Sequence, residues 1–178
     1  MNIKITGSNG YIGQLIVAEL KKKGHTVSGI KRNLLYGTSP DLQEALRNSD
    51  VLINLAGAPI LQRWTTDNKE IIYNSRVVTT RNLVEAIIDL PESERPGKVV
   101  SVSAIGIYKS GFTHTEESNN FDEGFVGDVV KDCEHELTAL PNSIKTIIFR
   151  LGVVFGKEAK TIKNMLLPFK LGLGGKIG

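Results

Sequence analysis

Five short, mostly apolar runs punctuate the chain, and between them apolar residues recur at three- and four-residue spacing. The first run, Ile3-Lys4-Ile5-Thr6, starts almost at once, and the others cover residues 25–30, 51–57, 98–103 and 144–150. Runs this short, rich in Val and Ile and bounded by turn residues, predict strands. The stretches between them predict helices over 11–23, 41–48, 66–90 and 127–140, and a further short one over 161–169. In the first helix Ile12, Leu15, Ile16, Ala18 and Leu20 supply the apolar stripe, and Gly24 stops it. In the long helix Thr66 or Asp67 is the expected cap, and Ile71, Ile72, Val78, Leu83, Ala86 and Ile87 mark the buried side. Strand–helix alternation with right-handed crossovers gives an α/β fold, a doubly wound parallel sheet with helices on both faces. Residues 109–125 interrupt the alternation with a polar, glycine-containing loop, and loops of that length inside a domain often carry function.

Composition narrows the class. The 178 residues are enough for one domain with a sizeable core, and 40% hydrophobic with 23% charged content is an ordinary soluble balance. The net charge of +3 arises from scattered basic residues. Lys21-Lys22-Lys23 is the one basic run, and it closes a helix, where cations suit the macrodipole. Nucleic acid is therefore not an expected partner. One cysteine, Cys133, excludes an internal disulfide framework and suits a reducing compartment. Asp132 and Glu134 flank it and disfavour a thiolate, so it reads as a small helix residue and not as a nucleophile. His25 and His114 read as structural and exposed, respectively. No His/Cys cluster has metal-ligand spacing, so no metal is expected. No signal-peptide pattern precedes the first strand and no apolar run is long enough to span a bilayer. The expectation is a cytoplasmic protein without a membrane partner.

The chemistry gathers where strands end. Between the first strand and first helix stands Gly7-Ser8-Asn9-Gly10-Tyr11-Ile12-Gly13. Its G-x-x-G-x-x-G spacing differs by one residue from the G-x-G-x-x-G dinucleotide fingerprint. Gly7 permits the turn, Gly10 lets a phosphate approach the backbone, and Gly13 lets the helix lie close on the sheet. Free N–H groups at the helix start then form an anion site. NAD-binding chains place an acid at the end of the second strand for the ribose 2′-OH; this chain has Lys31 and Arg32, which suit a 2′-phosphate. NADP is thus the expected cofactor, with NAD the alternative. The third apolar run ends in Leu55-Ala56-Gly57, small enough to pass under a cofactor. Arg76 falls near the apolar side of its helix and needs a partner, either a cofactor phosphate or a neighbouring acid.

These residues resemble a known family. Thr6-Gly7-Ser8-Asn9-Gly10-Tyr11-Ile12-Gly13 is similar to the opening of the extended short-chain dehydrogenase/reductases, the sugar-nucleotide epimerase group. Asn54-Leu55-Ala56-Gly57 resembles their N-x-A-G strand end. Asn74-Ser75-Arg76, Ser103-Ala104-Ile105-Gly106-Ile107-Tyr108, Arg150-x-Gly152-Val153-Val154 and the stretch from Leu166 to Gly175 resemble one atypical branch, the NADP-binding "epimerase family" proteins. The resemblance covers the whole chain and implies a Rossmann-type NAD(P)-binding domain over residues 1–178. It implies Lys31 and Arg32 as holders of the 2′-phosphate, and Leu55, Ala56, Arg76 and Val154 as cofactor-lining residues.

Two departures qualify what the resemblance implies. The superfamily's acid/base is the Tyr of Tyr-x-x-x-Lys, whose Lys lowers the Tyr pKa from the same helix face. The matching Lys here is Lys131, and four residues earlier stands Gly127, which transfers no proton. Ser103 is the expected Ser partner, one residue further from Tyr108 than usual, and Tyr108 or a substrate group remains as a proton source. Relatives also continue into a small carboxyl-terminal substrate domain, whereas this sequence stops inside a Gly-rich motif. A fragment is therefore expected, with an apolar edge that is exposed or buried in an oligomer such as a homodimer. Three functions compete: an NADP-dependent oxidoreductase or epimerase acting on a small or nucleotide-linked substrate, a non-catalytic NADP(H) sensor, and a purely structural Rossmann-like domain.

Overall fold

The five apolar runs form five parallel strands in a computed structural model that describes residues 1–37 and 40–156, with Ala159, Lys170 and Gly172. They are β1 (Asn2–Thr6), β2 (Thr26–Gly29), β3 (Val51–Asn54), β4 (Lys98–Ala104) and β5 (Lys145–Leu151). Between them run α1 (Tyr11–Lys22), α2 (Pro40–Leu46), α3 (Thr66–Tyr73), α4 (Thr79–Asp89) and α5 (Phe125–Glu136). The helix expected over 161–169 and most of the Gly-rich stretch after it lie outside the described residues.

The strand order is β2-β1-β3-β4-β5. The chain steps from β1 outward to β2, then crosses back over β1 to β3 and continues in that direction. β1 and β3 are hydrogen-bonded neighbours, Ile3 opposite Val51 and Thr6 opposite Asn54, so the order reverses between them. Helices that leave their carboxyl ends diverge to opposite faces there, which opens a crevice.

The core divides by the two faces of the sheet. On one face Ile3, Ile5 and Val51 pack with Ile16, Val17 and Leu20 of α1. On the other, Leu42 and Leu46 of α2 and Leu83, Val84, Ala86 and Ile87 of α4 pack on Leu52 and Val99, with Leu137, Leu140 and Ile144 closing the α5 end. Alternating strand residues feed the two faces, as in a sheet covered on both sides.

Three details depart from the helical pattern. Leu15 is exposed, because Val17 takes a place in the stripe that the periodicity assigned to Leu15 and Ala18. The cap of α3 is Thr65, whose side chain accepts from the Asn68 N–H. The long helix is broken by a π-helical turn over Asn74–Val78. One inserted residue rotates the following face by about 100°. Ile71, ahead of the turn, is consequently exposed, while Leu83, Ala86 and Ile87, behind it, are buried.

Ile87 is fully buried between α2 and the sheet. Replacing it with Ala leaves a cavity, so urea denaturation of Ile87→Ala is expected to show a loss of about 2–5 kcal/mol with the slope unchanged.

Candidate dinucleotide site

The crevice begins with the turn between β1 and α1. Gly7 has φ of +65°, and a Cβ on it would stand 2.7 Å from the Leu55 carbonyl oxygen. The turn therefore needs glycine for its conformation and for the strand passing beside it. A Cβ on Gly13 would collide with the Gly7 carbonyl, which locks the start of α1 against the turn. Gly10 is the N-cap of α1, no side chain caps the helix, and its first turn carries no acid. The leading N–H groups are left as an uncapped positive end, suited to an anion.

A polar lattice holds the floor of this turn. The Thr6 hydroxyl donates to Asn54 Oδ1 at 2.7 Å and accepts from the N–H groups of Leu55 and Ala56 at 3.0 and 3.1 Å. Asn54 Nδ2 donates to Thr80 Oγ1 on α4 at 3.1 Å. Thr6, Asn54 and Thr80 are all buried, so each bond avoids an unsatisfied group worth about 1–3 kcal/mol. The ends of β1, β3 and α4 are tied together directly beneath the crevice.

Above the floor lies a cavity of about 450 Å³, within the range of small-molecule and cofactor sites. Gly7, Ser8, Asn9, Lys31, Arg32, Ala56 and Gly57, all candidate cofactor residues, line it. Tyr11 and Ile12 sit half-buried in the first turn of α1. Leu55 contributes its backbone to the floor while its side chain packs toward α1. Val154 follows β5 and is partly exposed, outside the cavity wall. Two residues on, Gly156 lies against the Tyr11 ring, which brings that segment beside the glycine turn.

Arg76 approaches the cavity from below. Its guanidinium lies 3.0 Å from where a Gly57 Cβ would stand, and it donates to the Ala58 carbonyl at 2.9 Å. Among the described residues no carboxylate pairs with Arg76, Lys31 or Arg32. Arg76 is held by backbone carbonyls, and burial lowers its pKa from the ordinary value. Lys31 and Arg32 on the cavity wall, with an uncapped helix start and with Arg76 behind Gly57, fit a polyanionic ligand such as a dinucleotide phosphate.

Leu35, Tyr36, Gln62, Ile71 and Thr79 also line the cavity and were not picked out by motif, while Ser75, which also lines it, was named only within the Asn74-Ser75-Arg76 resemblance. Ser75 and Thr79 stand four apart on the helix, and Ser75 Oγ accepts from the Ala58 N–H at 2.8 Å. That spacing was a usable signal, but the π turn made the helix phase unreadable. Arg32 to Tyr36 form one 3-10 turn, a shape the apolar pattern does not specify.

The catalytic candidates lie elsewhere. Ser103 is at the carboxyl end of β4, and its hydroxyl donates to Glu134 Oε1 of α5 at 2.5 Å. Arg150 of β5 grips the same carboxylate through Nε at 3.0 Å and Nη2 at 2.7 Å, and that carboxylate raises the Arg150 pKa. Arg150 also donates to the Tyr108 hydroxyl at 2.5 Å, and Tyr108 donates onward to the Thr115 carbonyl at 2.9 Å. The Tyr108 proton is thus engaged in tying the long loop to the sheet. Lys131 pairs with Asp128 at 2.8 Å, a bond that raises its pKa. It lines a groove with Ile107, Phe121 and Glu134, apart from the dinucleotide cavity. At Gly127 a Cβ would collide with the Asp122 carbonyl. Loop backbone thus occupies the space beside position 127, where the Tyr-x-x-x-Lys spacing expected a tyrosine. Cys133 is buried and its pKa is raised by that burial, which makes it inert. Among the described residues no group of acids, His or Cys could hold a metal, and no helix is long and apolar enough to cross a membrane.

The chain's relatives carry related features. The sequence model of the NAD dependent epimerase/dehydratase family matches residues 3–171. Epimerase family protein YfhF of Bacillus subtilis is 34% identical over all of this chain and 63% of its own length. The crystal structure of human epimerase family protein SDR39U1 (isoform 2) with NADPH superposes with a TM-score of 0.84 at 30% identity, covering 100% of this chain and 62% of that one. The nucleoside-diphosphate sugar epimerase of Corynebacterium glutamicum gives 0.80 at 27% identity, over 100% of this chain and 39% of that one. The chain therefore spans less than two thirds of the length of these relatives.

Restoring the superfamily tyrosine is expected to fail. Gly127→Tyr must push its side chain through the Asp122 backbone, so its melting temperature should fall by several degrees, with no gain of NADPH oxidation. A variant that melts with the wild type would show that the loop yields readily.

Proposed function

The chain belongs to the NAD dependent epimerase/dehydratase family, and from that premise we propose that it is an NADP(H)-binding protein whose functional centre is the dinucleotide cavity and not a Tyr-x-x-x-Lys couple. The observation that carries this reading is the end of β2. Lys31 and Arg32 stand there without acidic partners among the described residues, on the wall of a cavity that opens onto the uncapped start of α1. In this reading Gly7, Ser8, Asn9, Gly10, Tyr11, Ile12 and Gly13 cradle the pyrophosphate through backbone N–H groups. Lys31 and Arg32 hold the 2′-phosphate, and Ala56 and Gly57 form the opposite wall, with Arg76 behind Gly57. The human relative solved with NADPH supports the choice of cofactor. Residues 1–178 act as one binding unit whose nucleotide state a partner reads.

A second reading is favoured by the Ser103–Glu134 pair. A bound nicotinamide would supply hydride chemistry, and Ser103 with Glu134 would orient a small or nucleotide-linked substrate at the carboxyl end of β4. Lys131 and Tyr108 are the weaker members of that set, since their polar atoms are engaged with Asp128 and with Arg150 and Thr115.

Calorimetric titration with NADP⁺, NADPH, NAD⁺ and NADH tests the binding reading. NADP(H) is expected to bind tighter than NAD(H), and Arg32→Ala to weaken NADP(H) by roughly ten- to a hundred-fold, the worth of charge-assisted bonds to a phosphate. A preference for NAD(H) in the wild type would sink the 2′-phosphate assignment. Hydride exchange with added sugar nucleotides that disappears in Ser103→Ala would favour the second reading.

A further inference from the structure

We infer that Tyr36 is a specificity-determining residue for the 2′-phosphate, acting by positioning Arg32. The inference rests on the NADP(H) reading above and concerns how the exposed Arg32 is held ready. The turn over Arg32–Tyr36 is itself anchored. Leu35 is buried in the core beside α4, and Asn82 Nδ2 of α4 donates to the Leu35 carbonyl at 2.9 Å. The backbone that carries Arg32 and Tyr36 is therefore fixed from below, while both side chains lie on the cavity wall.

They meet in two ways. Arg32 Nη2 donates to the Tyr36 hydroxyl at 3.4 Å, and the guanidinium carbon lies 5.8 Å from the Tyr36 ring centroid, a cation–π distance. Among the described residues no carboxylate competes for Arg32. A free arginine has many rotamers and must surrender them to grip a phosphate, and its planar fork loses less when it is preorganised. Tyr36 supplies that preorganisation with a neutral group, so the positive charge of Arg32 stays available. The bond to the phenol occupies one Nη2 hydrogen, so four of the five Arg32 donors are left for phosphate oxygens. NAD lacks that phosphate, so the effect is confined to NADP(H).

The test is a titration of wild type, Arg32→Ala, Tyr36→Phe, Tyr36→Leu and the Arg32→Ala/Tyr36→Phe double variant with NADP⁺ and NAD⁺. Tyr36 is exposed, so the variants are expected to fold. Tyr36→Phe keeps the ring and should lower NADP⁺ affinity about two- to five-fold, and Tyr36→Leu about five- to twenty-fold, from a lost hydrogen bond and a lost cation–π contact. NAD⁺ affinity should change less than about two-fold, since it makes neither contact. In the Arg32→Ala background Tyr36→Phe should have no further effect. If Arg32→Ala weakens NADP⁺ but both Tyr36 variants keep the wild-type ratio of NADP⁺ to NAD⁺ affinity, the inference is overturned and the cofactor reading stands. Equal weakening of both nucleotides would make Tyr36 a wall of the cavity and also overturn it. If Arg32→Ala has no effect, or the wild type binds neither nucleotide, the cofactor reading falls and takes the inference with it.

Discussion

The hydroxyl of Thr6 is the point on which the crevice depends. It donates to the side chain of Asn54 and accepts from two successive N–H groups just beyond β3. The end of β3 must leave its ladder to pass under a ligand, and its freed N–H groups would otherwise be buried without partners. Thr6 satisfies two of them at once. Because Asn54 also reaches Thr80, the same bonds fix the distance from the glycine turn to α4. Gly7 can then approach the Leu55 carbonyl closely, and the cavity above keeps its shape.

Much of this was readable in the order of residues. The alternation of apolar runs with helical stretches identified the five strands of the sheet, whereas their order was not legible, because right-handed crossovers fix the face each helix takes and not which strands become neighbours. The glycine spacing and the basic pair after β2 pointed to the same crevice from independent physics, one steric and one electrostatic. Other features were not legible. The π turn is a shift in backbone phase that leaves no mark on composition, so Ile71 was assigned to the core when it lines the cavity. The walls contributed by Tyr36, by Gln62 and by Ser75 with Thr79 come from three separate pieces of chain, and only the fold brings them together. The engagement of Tyr108 with Arg150 and Thr115 likewise depends on where a long loop returns.

The charges divide the molecule into two regions with different logic. At the cavity Lys31 and Arg32 have no carboxylate partner among the described residues, and Arg76, behind Gly57, is held by backbone carbonyls with its pKa lowered by burial. At the ends of β4 and β5 the opposite holds. Glu134 accepts from Ser103 and from two nitrogens of Arg150, and Arg150 uses Nη1 for Tyr108 and the Glu116 carbonyl. A paired, hydrogen-bonded network of this kind stiffens what it joins, here two strands, a helix and a loop. The first region is arranged to receive charge, the second to hold structure.

The close approach of Asp122 to Gly127 bears on redesign. The Asp122 carbonyl occupies the space that a Cβ at position 127 would need, so a side chain can be placed there only if the loop is moved with it. The two positions are therefore a single unit for an engineer: a change on α5 has to be accompanied by a change in the loop that lies on it.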